Sequence, residues 1–166
     1  MHIESTTVNG FSTGLWVQAG DGIGRPPRLH VKDSILRANA FAIGLRSDYV
    51  IDAIIDQVRI EQNYFAGIYT EGPIAVDVRN TVIAGNVHGI DSRERNAKAA
   101  NYSLESCMFS QNDVVFHFAM APGVASYIDV SGSLYSDNGK GYVETSANQN
   151  VRSRGNNTVL RNGGTC

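Results

Sequence analysis

The chain has 166 residues and a formal net charge of −2, with 42% hydrophobic and 18% charged residues, a size and balance that suit one domain with a buried core. Its 14 Lys and Arg residues form no basic block, which excludes the electrostatic footprint of a nucleic-acid binder. No apolar run approaches the roughly 20 residues that cross a bilayer, and the start Met1-His2-Ile3-Glu4-Ser5 lacks the basic and apolar regions of a signal peptide. The chain therefore reads as soluble, and as extracellular or cell-surface only if it is a fragment of an exported protein.

Taken in chain order, the predicted elements are coils of one repeat. Val8-Asn9-Gly10-Phe11-Ser12-Thr13-Gly14-Leu15 reads as the end of a first coil that lacks its key Asn. The Gly- and Pro-rich stretch 19–27 follows. A phosphate cradle would need a helix after it, and Pro26-Pro27 leads into a strand instead, so it is read as an inter-coil connection. From Leu29 the period becomes regular. Asn39, Asn63, Asn86, Asn112, Asn138 and Asn162 are separated by 24, 23, 26, 26 and 24 residues, and a fixed period of that length overrides local readings.

Indexing each coil from its Asn aligns further columns. Three residues earlier stand Leu36, Ile60, Ile83, Phe109, Tyr135 and Val159. Eight earlier stand Val31, Ile55, Val78, Leu104 and Val130; ten earlier stand Leu29, Ala53, Val76, Tyr102 and Ile128. Positions ten and eight show the period-two alternation of a strand. Five before the Asn come Ser34, Val58, Thr81, Cys107 and Ser133, small enough for a narrow inward position, and six before come the turn formers Asp33, Gln57, Asn80, Ser106 and Gly132. After the Asn, a small and an apolar residue recur, as in Ala42-Ile43, Gly67-Ile68 and Gly89-Ile90. The final repeat puts Arg152 and Arg154 in the two apolar columns, which predicts a frayed or capping coil.

Three short strands per coil, stacked about 4.8 Å apart, make a parallel β-helix. The predicted fold is all-β: a right-handed, single-stranded parallel β-helix (solenoid) of about seven coils of roughly 24 residues, in a single domain over 1–166 with regular coils at about 29–142. The six Asn residues then form a structural ladder, since carboxamides stacked at that spacing bond to one another and to turn backbone. Neither end carries an amphipathic capping helix, so the open ends, or an apolar outer face, could join a second copy as a homo-oligomer.

Val31-Lys32-Asp33-Ser34-Ile35-Leu36-Arg37-Ala38-Asn39 and Leu104-Glu105-Ser106-Cys107-Met108-Phe109-Ser110-Gln111-Asn112 resemble repeats of the bacterial right-handed parallel β-helix proteins of the pectate-lyase-like superfamily. The likeness spans nearly the whole chain and its motifs are structural. It implies the fold, and it makes acidic polysaccharides a substrate class to consider. Polygalacturonases carry Asn-Thr-Asp, Asp-Asp, Gly-His-Gly and Arg-Ile-Lys motifs; only Val87-His88-Gly89 echoes one of them. The three-carboxylate cluster of the Ca²⁺-dependent lyases is absent from the sequence.

Seven before the Asn, Lys32, Asp56, Arg79 and Glu105 alternate in charge, as a solvated face does. Four before, Ile35, Arg59, Val82, Met108 and Leu134 should point outward and offer either local cover or a contact patch. The third strand carries the most polar constellation: Tyr69, Asp91 and His117 in one outward column, flanked by Arg46, Glu71 and Arg93. Asp91, His117 and Glu71 are the candidate acid–base residues, and Tyr69, Arg46 and Arg93 the candidate ligand-binding ones. A one-residue change of register would turn the column inward.

Cys107 and Cys166 have neither metal nor disulfide spacing and are read as free thiols. No metal or other cofactor is expected, with Ca²⁺ required only by a lyase. Two functional readings stand open. One is a non-catalytic module that binds glycans or a surface, or acts as a structural or oligomerising scaffold. The alternative is a polysaccharide-active lyase or hydrolase acting on an acidic glycan.

Overall fold

The fold is given by a computed structural model that describes residues 1–20, 27–144 and 149–162. Residues 21–26 of the connection after the first coil, and Cys166, lie outside them, so neither the reading of that loop nor the thiol state of Cys166 is addressed. Among the described residues every element is a strand, and no helix is long and apolar enough to cross a membrane.

Among the described residues the strands form three parallel sheets, each complete coil contributing one strand to each. The first sheet holds seven strands: His2–Glu4, Arg28–Lys32, Ile51–Asp56, Ile74–Arg79, Asn101–Glu105, Ser126–Ser131 and Gln149–Ser153. The second also holds seven, all of three residues, from Thr7–Asn9 to Thr158–Leu160. The third has six: Thr13–Ala19, Phe41–Ser47, Ala66–Glu71, His88–Arg93, Val114–Ala119 and Lys140–Glu144. The result is a β-solenoid of six complete turns and part of a seventh.

The apolar columns fill its interior. Leu29, Ala53, Val76, Tyr102 and Ile128, with Val31, Ile55, Val78, Leu104 and Val130, are all buried, as are Leu36, Ile60, Ile83 and Phe109. Phe109 stacks on Tyr135 with centroids 5.2 Å apart. Tyr102, fully enclosed, satisfies its hydroxyl on Thr70 Oγ1 at 2.5 Å. The column of Ile35, Val82, Met108 and Leu134 is half-buried and is interrupted by exposed Arg59.

Two left-handed residues per coil turn the chain from sheet to sheet. The first corner uses Ser5, Asp33, Gln57, Asn80, Ser106, Gly132 and Asn156, with φ between 47° and 59°. The second uses Gly10, Ala38, Gln62, Gly85, Gln111, Asp137 and Arg161, each just before the key position. Only short polar side chains and Gly enter this region cheaply, which is why the corners are rich in them.

Each corner also carries a side-chain ladder along the stack. Asn63 Oδ1 accepts from Asn39 N at 3.1 Å and Asn39 Nδ2 at 3.3 Å, and the same pair of bonds recurs from Asn63 to Asn86, Asn86 to Asn112, Asn112 to Asn138 and Asn138 to Asn162. In the first coil Phe11 occupies the rung, and its N–H donates to Asn39 Oδ1 at 2.9 Å. At the other corner the small residues form a second, hydroxyl ladder. Ser34, Thr81 and Ser133 donate to the carbonyl two residues back, at 2.7, 2.7 and 3.0 Å, and accept from the N–H of Thr6, Val58 and Cys107 one coil away.

The last coil corrects one expectation. Val151 pairs with Ile128 and Ser153 with Val130, so Arg152 and Arg154 do not occupy the core columns. An extra residue sits at the corner, where Gly155 (φ 94°) and Asn156 (φ 59°) both adopt positive φ. Arg152 lies opposite Asp129 with its guanidinium over Tyr127, and Arg154 donates to Asp129 Oδ2 at 2.5 Å.

Candidate functional site

The third sheet aligns Trp16, Gly44, Tyr69, Asp91 and His117 in one outward column, and Gln18, Arg46, Glu71, Arg93 and Ala119 in the next. The structure therefore brings together all six residues singled out in the sequence. Three more join them: Trp16, His88 and Arg95.

At the centre, Asp91 is 0% exposed although its strand position faces outward. Its neighbours cover it. Arg93 donates through Nη2 to Oδ2 at 3.0 Å and through Nε at 3.3 and 3.4 Å, and His117 Nδ1 lies 2.9 Å from Oδ1. The shared hydrogen bond with Asp91 raises the Arg93 pKa above its ordinary value. His88 stacks on His117 with centroids 4.5 Å apart and planes 9° from parallel, and meets Phe65 edge-on at 5.2 Å. His88 Nδ1 points toward Asp91 Oδ2 from 3.8 Å, too far for a hydrogen bond, and is buried with no hydrogen-bond partner. Burial, and then the neighbouring His117, hold the His88 pKa below that of a free imidazole.

Toward the sheet's far edge lies a second set of charges. Glu71 accepts from Tyr69 OH at 3.0 Å and from Arg95 Nη1 at 3.1 Å, with Arg46 Nε at 3.3 Å. Arg95 also grips Asp48 with two bonds, of 2.7 and 3.2 Å. Burial, followed by the bond to Glu71, pushes the Tyr69 hydroxyl up to about 12. Both candidate carboxylates are thus committed to guanidinium partners.

Toward the first coils the face becomes aromatic. Trp16 lies flat over Gly44, where any Cβ would overlap the indole, and stacks toward Tyr69 at 6.2 Å and 19°. Trp16 stays 43% exposed. Phe41 packs against Phe65 and Tyr69 at 5.0 and 5.2 Å, and the Arg93 guanidinium sits 5.4 Å from the Tyr69 ring centre. The signal for this shelf was present in the sequence: Phe41, Phe65 and His88 all stand two residues after a ladder Asn.

A groove of about 750 Å³ runs along the outer side of the first sheet, lined among others by His30, Asp52, Asp77, Asn101 and Tyr127. Its carboxylates pair with exposed arginines, Asp52 with Arg28 at 3.6 Å and Asp77 with Arg79 at 2.7 Å. Such solvated pairs are ordinary surface chemistry, whereas the third sheet holds a buried carboxylate and an unpartnered buried imidazole nitrogen. That contrast assigns the candidate site to the third sheet. Comparison with known proteins finds no family model, curated protein or solved structure that matches this chain.

Proposed function

We propose that this solenoid is a non-catalytic module that binds an extended glycan along the outer face of its third sheet. The observation that carries the reading is the indole of Trp16, backed by Gly44, flanked by Tyr69, and 43% exposed. An aromatic ring supported on one side and open on the other presents an apolar π-face to a sugar ring. Three guanidinium groups, on Arg46, Arg93 and Arg95, oppose the three carboxylates of Asp48, Glu71 and Asp91 on this face. Charge therefore cancels locally, which favours recognition by stacking and hydrogen bonding over capture of a polyanion. In this reading the chain is akin in architecture to the pectate-lyase-like β-helices, and its wind is right-handed, as about 98% of parallel crossover connections are.

One observation favours a second reading. His117 is held by a buried carboxylate at 2.9 Å, the arrangement that orients an imidazole as a general base. A lyase or hydrolase acting on a glycan would use His117 in that role. Oligosaccharides of neutral and uronate type, titrated with the single Trp as fluorescence reporter, separate the two. The module predicts a Trp16 response, loss of binding in Trp16→Ala, and no change in the sugar. Binding indifferent to Trp16→Ala would refute it, and unsaturated uronates or new reducing ends that vanish in His117→Ala would establish the enzyme.

A further inference from the structure

We infer that His88, Asp91 and His117 form a binding site for one divalent first-row transition ion of the Zn²⁺ type. The three residues come from adjacent strands of the third sheet and offer one ligand atom each, all within 4.8 Å of one another. Two contacts set the scale. Asp91 Oδ1 to His117 Nδ1 is 2.9 Å, and Asp91 Oδ2 to His88 Nδ1 is 3.8 Å. Ligands 2.0–2.1 Å from a tetrahedral Zn²⁺ stand about 3.3 Å apart, so these distances straddle the required edge. With the three ligand atoms within 4.8 Å of one another, closing the triangle takes rotamer adjustments of up to about 1.5 Å along its longest edge.

The second, independent observation is the orphan. His88 Nδ1 is buried, faces the carboxylate, and has no hydrogen-bond partner. A buried polar atom left unsatisfied calls for an occupant, and a cation between it and Asp91 supplies one. The neighbouring atoms suit that arrangement. Arg93 bonds chiefly to Oδ2, leaving Oδ1 to His117, and acts as an outer partner that orients the carboxylate. His88 and His117 are stacked nearly parallel, so the two rings must tilt toward each other to bring both in-plane lone pairs onto one ion. His117 remains 20% exposed and His88 15%, so the remaining coordination positions can reach solvent.

Donor chemistry selects the ion. Two imidazoles and one carboxylate suit Zn²⁺, Co²⁺ or Ni²⁺, whereas Ca²⁺ demands six to eight oxygens and Mg²⁺ a near-octahedral oxygen shell. The sequence shows no recognised metal-ligand spacing for this site because its ligands meet only across two stacked coils. They are three residues apart within one strand and then one coil apart. The inference does not depend on glycan binding and is tested without sugar.

The probe is Co²⁺, titrated into the full chain after dialysis against a chelator, with Zn²⁺ as competitor. We expect one ion per chain, visible d–d bands of a four- or five-coordinate centre, displacement by Zn²⁺ but not by equimolar Ca²⁺, and paramagnetic shifts centred on the amides of His88, Asp91 and His117. The chain's other two histidines, His2 and His30, have rings 4.8 Å apart on the first sheet and are the competing surface chelate. The double variant His2→Asn/His30→Asn should keep the bands. His117→Gln, and His88→Phe, which preserves the ring stack, should each lose at least tenfold in affinity. Paramagnetic shifts centred on His2 and His30, unchanged affinity in His88→Phe, or no visible bands would each overturn the assignment. The shift map is read on the unmodified chain, so a misfolded variant does not decide the outcome.

Discussion

Replacing Asn86 with Leu removes a central rung of the ladder, and the cost can be worked from its bonds. The Asn86 side chain accepts from Asn63 N at 3.0 Å and from Asn63 Nδ2 at 2.9 Å, and it donates to Ile60 O at 3.4 Å and Asn112 Oδ1 at 3.0 Å. Asn63, Asn86 and Asn112 are all buried, so no water replaces the lost partners. Asn112 Oδ1 keeps the Asn86 backbone N–H at 3.1 Å. Two donors of Asn63 are left orphaned. At about 1–3 kcal/mol for each buried unsatisfied group, and allowing for relaxation, the loss should be about 3–5 kcal/mol. With a urea m-value near 2 kcal/mol/M the midpoint falls by about 2 M, with the slope unchanged. Asn162→Leu removes a rung that is itself half-buried, so the bonds it makes to buried Asn138 already compete with water on one side, and the loss should be smaller, about 1 kcal/mol. Equal losses at the two positions, or a loss under about 0.5 kcal/mol at Asn86, would refute the reasoning.

Gly44→Ala should lift the Trp16 indole off the sheet, which shifts the single-Trp emission to longer wavelength; an unchanged spectrum would show that the ring does not rest there. Because the displaced group is a partly exposed side chain, the stability loss should stay within about 1 kcal/mol. Ala38 holds φ at 52°, so Ala38→Gly should raise stability by about 0.5–1 kcal/mol, read from the urea midpoint. Burial pushes the Cys107 thiol up to about 11. In a Cys166→Ser chain it should resist thiol reagents at pH 8, where about one thiol in a thousand is ionised, until the protein unfolds. Its folded value exceeds the ordinary one near 9, so its share of stability is complete below pH 9 and is lost as pH rises toward 11. Cys107→Ser should lack that loss, because Ser34 and Ser133 already fill the same column, and matching pH profiles for the two chains would contradict the shift.

How much was legible follows from what repeats. The apolar columns and the Asn rungs recur in every regular coil, so one index read six times over cancelled local ambiguity. The same index failed in the last coil, because Gly155 and Asn156 insert one residue at a corner and shift Val151 into the column where Arg152 was expected. The second ladder was half legible. Ser34, Thr81, Cys107 and Ser133 were recognised as small, but smallness was only part of their role, since the hydroxyls also bond to the chain two residues back and one coil away. On the third sheet, alternation gave the outward face of Tyr69, Asp91 and His117. Exposure did not follow from it, because period two says which way a side chain leaves the strand and nothing about what its neighbours lay over it.

Asp91 illustrates the consequence. An outward aspartate in a solenoid would ordinarily be solvated and contribute little. Here Arg93, His117 and His88 enclose it, and desolvating the carboxylate costs several kcal/mol, which its attraction to the partly exposed Arg93 guanidinium only about repays. An apolar residue at this position could pack between Tyr69 and His117 without that penalty. Stability alone therefore does not select Asp91 with an unpartnered imidazole nitrogen beside it, whereas the proposed ion binding would, because a site that holds its donors dry and preoriented gains affinity in proportion to the reorganisation it avoids. The ladders and the apolar columns supply the rigidity on which such an arrangement depends. Each rung fixes the height of its coil, and so the spacing of His88, Asp91 and His117 along the stack is set by the same Asn residues that fold the chain.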